Sequence, residues 1–226
     1  MKAAALREVS GDGSVLSEVS AIEKSQGFPS FDLSATLECG QCFRWEALPG
    51  GEYRFAAGSR FMRAGPSSLS SLWEDEGWRG YFDLDRDYDA IRREISALDP
   101  ALEKAAAYAP GIRILNQDPW EALCCFILSQ NNNIPRIKGI VARLCENFGE
   151  SAEGGFGFPG AEKLASLSPE ELSPLRCGFR ARYLIDAAQR VALKKEGLVL
   201  GKLREIPLEE AREALMKIVG VGRKVA

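Results

Sequence analysis

The hydrophobic period of this chain changes once, and that change fixes its fold class. Between Phe31 and Gly65 apolar residues recur at every second position, as in FDLSATL with Phe31, Leu33, Ala35 and Leu37. CFRWEAL and EYRFAAGSRFMRAG follow, separated by the turn signal Pro49-Gly50-Gly51. This stretch predicts an antiparallel sheet of several strands. Residues 1–28 carry weak signals and read as a short strand or irregular lead-in. Residues 66–86 are mixed, with Trp73, Trp78, Tyr81 and Phe82 expected to pack at a junction.

From about residue 87 the period is helical. Asp118 before Pro119 is an N-cap signal, and Trp120, Leu123, Cys124, Ile127 and Leu128 share one face of the helix it starts. Asn131, Asn132 and Asn133 interrupt as a short loop. Ile134, Ile137, Val141, Leu144 and Phe148 then form a stripe that stops at Gly149. Gly154 to Gly160 lacks the spacing and the lysine of a phosphate loop and reads as a linker. Ser168-Pro169-Glu170-Glu171 is a capping box. A long helix is predicted from Arg180 to Glu196, closed by Gly197. Pro207 opens another, with Leu208, Ala211, Leu215 and Ile218 on its buried side. The layout is α+β: an N-terminal β-rich domain over residues 1–86, then an all-helical domain over residues 87–226.

Composition narrows the chemistry. The chain has 226 residues, 46% hydrophobic and 27% charged, which suffices for a core. Its apolar runs are far shorter than the roughly 20 residues a membrane helix needs. Arg7, Glu8 and Asp12 break the N-terminus before a signal peptide can build. The expectation is a monomer without a membrane partner, cytoplasmic and nucleoid-associated in a bacterium or nuclear in a eukaryote. With no histidine, chemistry must come from Lys, Asp, Glu, Cys, Ser or Tyr. Cys39-Gly40-Gln41-Cys42 has no second pair to complete a four-ligand zinc site, so no metal site is expected there. Cys124, Cys125 and Cys145 read as buried small hydrophobes.

Charge is uneven. Residues 176–226 hold 12 Lys/Arg against 6 Asp/Glu, whereas the whole chain has a net charge of −3. A basic quarter on an acidic body marks a localised polyanion surface or a solvated helix face.

Four constellations could use that surface. Val219-Gly220-Val221-Gly222 makes a tight reversal between helical segments, where free backbone N–H groups can meet a phosphodiester. Lys224 follows in the first turn of a new helix beside Arg223, a poor place for two cations and a favourable one for a nucleophilic free amine. Asn131 to Arg136 sets short amides beside a guanidinium that could read base edges or fill a gap in a stack. Gly178-Phe179-Arg180-Ala181-Arg182-Tyr183 puts an aromatic ring at a helix start, suited to a base step. Each alone is also consistent with capping and packing.

Together and in this order, SQNNNIPRIKGIVARLCENFG, CGFRARYLIDAAQRV and LMKIVGVGRKVA resemble the 8-oxoguanine DNA glycosylase/AP lyase family of helix-hairpin-helix repair enzymes. LECGQCFRW is similar to that family's N-terminal loop, and the likeness covers roughly residues 31–226. The resemblance implies removal of 8-oxoguanine opposite cytosine from damaged double-stranded DNA, with strand cleavage through a lysine Schiff base. It implies Lys224 as nucleophile and Gly40 as the residue whose carbonyl reads the lesion. Asn131 would fill the vacated space, Arg136 and Arg180 would hold the orphaned cytosine, and Phe179 would act as the wedge. Val219, Gly220, Val221 and Gly222 would grip the backbone with a bound monovalent cation, and no cofactor is required. The resemblance also implies a catalytic aspartate and base-sandwiching residues farther along than Ala226, so the chain reads as a C-terminally truncated member. The alternatives are a non-catalytic helix-hairpin-helix duplex-binding protein and an inactive fragment.

Overall fold

The computed structural model describes residues 30–226, so the lead-in expected over residues 1–28 lies outside the described residues. In chain order the elements are α1 (Leu33–Glu38), β1 (Trp45–Ala47), β2 (Tyr53–Ala57), β3 (Arg60–Ala64), α2 (Ser71–Glu74), α3 (Glu76–Tyr81), α4 (Tyr88–Ser96) and α5 (Pro100–Tyr108). There follow α6 (Pro119–Ser129), α7 (Ile134–Phe148), the short strands β4 (Ser151–Ala152) and β5 (Gly155–Phe156), α8 (Ala161–Ala165), α9 (Arg180–Ala192) and α10 (Leu208–Met216). The class is α+β, with a small antiparallel sheet in the first part and helices in the second. Among the described residues no helix is long and apolar enough to cross a membrane.

The sheet has the order β1-β2-β3, with Trp45 opposite Phe55 and Tyr53 opposite Ala64. Gly58 and Ser59 alone connect β2 to β3, and Gly58 takes a positive φ of 58° there. The FDLSATL stretch, expected as a strand, is helix α1 instead. Asp32 caps it by accepting from the Ala35 N–H at 2.8 Å. Leu33 and Leu37 are four residues apart, so they satisfy a helical face as well as a strand's alternation. The cap and the buried Thr36, which accepts from the Arg113 N–H at 3.1 Å, decide for the helix.

Trp78 and Phe82, expected at a junction, lie in the core of the first part. Phe55 meets Trp78 at 4.9 Å and Phe82 at 5.4 Å, and Phe31 meets Phe82 at 5.4 Å, all edge to face. The second core gathers Leu123, Ile127 and Leu128 of α6, Ile137, Ile140, Val141 and Leu144 of α7, and Leu184 and Ala188 of α9. Asn133 caps α7 by accepting from the Arg136 N–H at 3.0 Å. The cysteines of α6 and α7 are buried in this core.

Three further expectations change. The Gly154–Gly160 linker contributes to a hairpin, β4 paired with β5, seated on the sheet. Gly154 takes a φ of 97°, and a Cβ there would come within 2.9 Å of Phe61 Cβ. Helix α9 stops at Ala192 rather than Glu196. Lys194 and Glu196 turn left-handed, which returns Leu198 and Leu200 to the core they would otherwise leave. On α10, Leu208 is 66% exposed, and Ile218 beyond the helix is the buried anchor.

A buried ion pair fastens the two parts together. Arg44 Nη1 lies 3.2 Å from Glu121 Oε2, with both side chains nearly enclosed. The same guanidinium donates to the carbonyls of Gly58 at 2.7 Å and Phe156 at 2.8 Å, and Glu121 accepts from the Gly58 N–H at 2.8 Å. Sheet, hairpin and α6 therefore meet at one cation. Burial pushes the Glu121 carboxyl above its ordinary range, while Arg44 and the Gly58 N–H pull it back. Glu121→Ala leaves Arg44 buried without its counter-charge and should cost about 3–5 kcal/mol in a urea unfolding experiment. Arg44→Met with Glu121→Leu should recover much of that loss.

Candidate functional site

The reversal after α10 is built by alternation. Ile218 and Val221 are 1% and 5% exposed and form a keel in the helical core. Val219, Gly220 and Gly222 face outward between them. Gly220 needs its glycine twice over. Its φ is 83°, and an added Cβ would stand 2.4 Å from Cδ2 of Tyr183. Beyond Gly222, where an added Cβ would meet nothing, the chain begins a helical turn: the Ala226 N–H donates to the Gly222 carbonyl at 3.0 Å. Lys224 sits in that turn, exposed and without a hydrogen bond or ion pair among the described residues. Arg223 is accounted for by Glu209 of α10, 3.2 Å away.

The hairpin is tied to α9. Asp186 Oδ2 accepts from the Val219 N–H at 2.8 Å, and Arg190 holds the same oxygen at 3.1 Å. Arg190 also reaches Glu196 at 3.2 Å, and Glu196 pairs with Lys217 at 2.8 Å, just before the reversal. Several cations of the basic quarter are thus internally paired rather than free.

The first turn of α9 joins this face to the asparagine loop. The Phe179 ring is 46% exposed and meets Tyr183 at 5.5 Å, edge to face; Tyr183 in turn covers Gly220. Arg180, expected beside Arg136 as a second reader of cytosine, is 4% exposed. Its Nε donates to the Gln130 carbonyl at 2.9 Å, Nη1 to the Cys177 carbonyl at 3.2 Å, and Nη2 to the carbonyls of Gln130 and Asn131. Arg180 thus acts as a clamp on the loop. Asn131 needs that clamp, because its φ is 47°, a left-handed conformation that a non-glycine residue holds at some cost. Arg136 projects exposed from the first turn of α7, and its guanidinium has no partner among the described residues.

Gly40 completes the chain of contacts. It takes a φ of 89°, and a Cβ there would lie 3.9 Å from Ile134 Cδ1 at the start of α7. Gly40, the asparagine loop, Phe179 and the hairpin therefore form one contiguous series through Ile134, Arg180 and Tyr183. Of its neighbours, Cys39 is exposed, while the Cys42 thiol is buried and pushed by desolvation to about 12. Tyr183 and Asp186 were not singled out as site residues by sequence reasoning. Tyr183 had a signal in its aromatic spacing from Phe179. Asp186 had none, because its partner is a backbone N–H 33 residues away.

Comparison with known proteins gives the chain's family. Residues 22–123 match the family described as 8-oxoguanine DNA glycosylase, N-terminal domain, and residues 124–224 match the HhH-GPD superfamily base excision DNA repair protein. A solved structure of Clostridium acetobutylicum 8-oxoguanine glycosylase/lyase, in complex with dsDNA containing cytosine opposite to 8-oxoG, is 34% identical. The match covers 86% of this chain and 70% of that one, with a TM-score of 0.76. The chain belongs to the 8-oxoguanine DNA glycosylase family. The N-glycosylase/DNA lyase OGG1 of Arabidopsis thaliana is 30% identical over 212 residues, which is 86% of this chain and 58% of that protein. The N-glycosylase/DNA lyase of Saccharomyces cerevisiae is 38% identical over 130 residues, 51% of this chain and 35% of its own length. This glycosylase-family chain thus spans less than two thirds of either curated relative.

Two outcomes test the hairpin's construction. Gly220→Ala should cost about 1–3 kcal/mol in thermal or urea unfolding, from positive φ together with the Tyr183 clash. Asp186→Ala should lower stability by about 1–2 kcal/mol and raise the exchange rate of the Val219 amide above that of the core helices.

Proposed function

We propose that the protein is a bifunctional base-excision repair enzyme that removes 8-oxoguanine opposite cytosine from duplex DNA and then cleaves the strand. The observation that carries this reading is the clustering of Gly40, beside Ile134 at the start of α7, with the asparagine loop, Phe179 and the hairpin before Lys224. A duplex lying on that face would meet a wedge, a gap-filling amide, a backbone grip and an unpaired amine on one side.

In this reading the target nucleotide leaves the stack, Phe179 enters the step and Asn131 occupies the space left behind. The Gly40 carbonyl distinguishes the bases. 8-Oxoguanine carries a hydrogen on N7 that a carbonyl can accept, whereas guanine presents a lone pair there. An unpaired buried polar group costs about 1–3 kcal/mol, enough for useful discrimination. Among the described residues nothing hydrogen-bonds the Gly40 carbonyl, which supports this role. Arg136 has free donors for the O2 and N3 acceptors of the widowed cytosine. Arg180 holds the loop between them, and a donor released from Gln130 or Asn131 on binding would add a second contact.

Lys224 supplies the chemistry. Its Nζ lone pair attacks the sugar C1′ as the C1′–N9 bond breaks, and the bonding electrons leave with the base, which takes up a proton. Opening of the sugar ring gives a protonated Schiff base between Nζ and C1′. Loss of a C2′ proton then expels the 3′ phosphate. Val219 and Gly222 present backbone to the phosphodiester. The carbonyls of Val219, Gly220 and Val221 take no hydrogen bond among the described residues, which fits the hard oxygen donors a monovalent cation needs. Such an ion would add positive charge beside the phosphate.

Lys224→Gln in the full-length protein decides between an enzyme and a passive duplex binder. It should abolish borohydride trapping of an 8-oxoguanine duplex while leaving duplex binding in place. Trapping that survives the substitution, or a parent protein that never traps, removes the reading.

A further inference from the structure

The loop that presents Gly40 is held by the next side chain. Gln41 Nε2 donates to the Arg113 carbonyl at 2.8 Å, and Gln41 Oε1 accepts from the Leu115 N–H at 3.0 Å. One carboxamide thereby reproduces the donor and acceptor of a peptide unit and pairs with the 113–115 segment as a neighbouring strand would. Gln117 returns the contact by donating from Nε2 to the Gln41 carbonyl at 2.8 Å. Gln41 Nε2 also lies 3.1 Å from Cys39 Sγ, so the carboxamide bridges the residue before Gly40 as well.

The segment that receives Gln41 is itself immobilised. Arg113 is completely buried, and its guanidinium donates to the carbonyls of Ser30 at 2.9 Å, Arg86 at 2.9 Å and Asp83 at 3.2 Å. Tyr88 lies 4.3 Å from its carbon centre. On the far side, the Trp45 indole N–H donates to the Cys42 carbonyl at 3.2 Å. Residues 39–42 are thus anchored at both ends, with Gly40 between them in a conformation that only glycine holds without strain. Among the described residues the Gly40 carbonyl takes no hydrogen bond and is open to a ligand.

We propose that Gln41 is a specificity-determining positioning residue: by pairing with the 113–115 segment it fixes the direction of the Gly40 carbonyl. This inference rests on the lesion-reading role given to Gly40 above. A hydrogen bond weakens steeply once its angle falls toward 120°, so a carbonyl free to rotate accepts poorly from one purine and repels the other poorly. Base discrimination then depends on a side chain that does not touch the base.

The test separates two activities of the full-length protein. Gln41→Met keeps an unbranched chain of similar length but removes both hydrogen bonds. Single-turnover excision of 8-oxoguanine opposite cytosine should fall about tenfold or more, as misplacement at a recognition site does. Cleavage of a preformed abasic site in the same duplex has no base to read and should change less than about threefold, which also reports that the variant is folded. Gln41→Asn, one methylene short of spanning both partners, should give the same split in a gentler substitution. Equal loss of both activities reduces Gln41 to a structural residue, and unchanged excision removes its role; either overturns the inference. A parent protein that cleaves abasic sites yet never excises 8-oxoguanine brings down the functional reading and this inference with it. An active parent with an unaffected Gln41→Met sinks only the inference.

Discussion

The contact between Arg44 and Glu121 holds the architecture in register. A charge this enclosed is tolerated only when paired and hydrogen-bonded, and Arg44 meets both conditions by drawing in α6, the β2–β3 turn and the glycine hairpin. Those elements come from residues 58, 121 and 156, far apart in the chain. The pair therefore selects one mutual arrangement of sheet and helices. It also follows the Gly40 loop by only two residues, so the arrangement it selects brings Gly40 against the first turn of α7.

A second set of contacts organises the rest of the same face. Arg180, Tyr183 and Asp186 project from the first two turns of α9 and reach the asparagine loop, Gly220 and Val219 respectively. One helix thus braces two segments, the asparagine loop and the hairpin. The cations expected to make the C-terminal quarter a polyanion surface divide accordingly. Arg190, Lys217 and Arg223 are balanced by carboxylates, and Lys224 has no carboxylate partner among the described residues. Net charge by segment was a coarse guide, because pairing decides which charges a ligand can feel.

Much of this was legible in the sequence. The α6 and α7 helices carried both a cap and an apolar stripe, and two independent signals left little room for error. The hairpin was legible because glycine spacing in a helical context has few geometric solutions. Local pattern failed where two periods coincide, as at Leu33 and Leu37, and where glycines serve a distant partner, as Gly154 does against Phe61. It failed again where a helix had to end early so that later residues could reach the core, as at Lys194. Arg180 shows the same limit in the site: its residue type suited a base reader, but its burial depends on carbonyls 49 and 50 residues earlier. Long-range pairing of this kind leaves no local trace.

Asp186 and Phe179 stand seven residues apart on or beside one helix, a separation of about 10 Å along its axis. That helix behaves as a rigid ruler between an exposed ring and a glycine reversal. The spacing between the exposed Phe179 ring and the reversal is then a property of α-helical rise, not of loop flexibility. A deletion of one residue between the two would swing the ring by about 100° relative to the reversal.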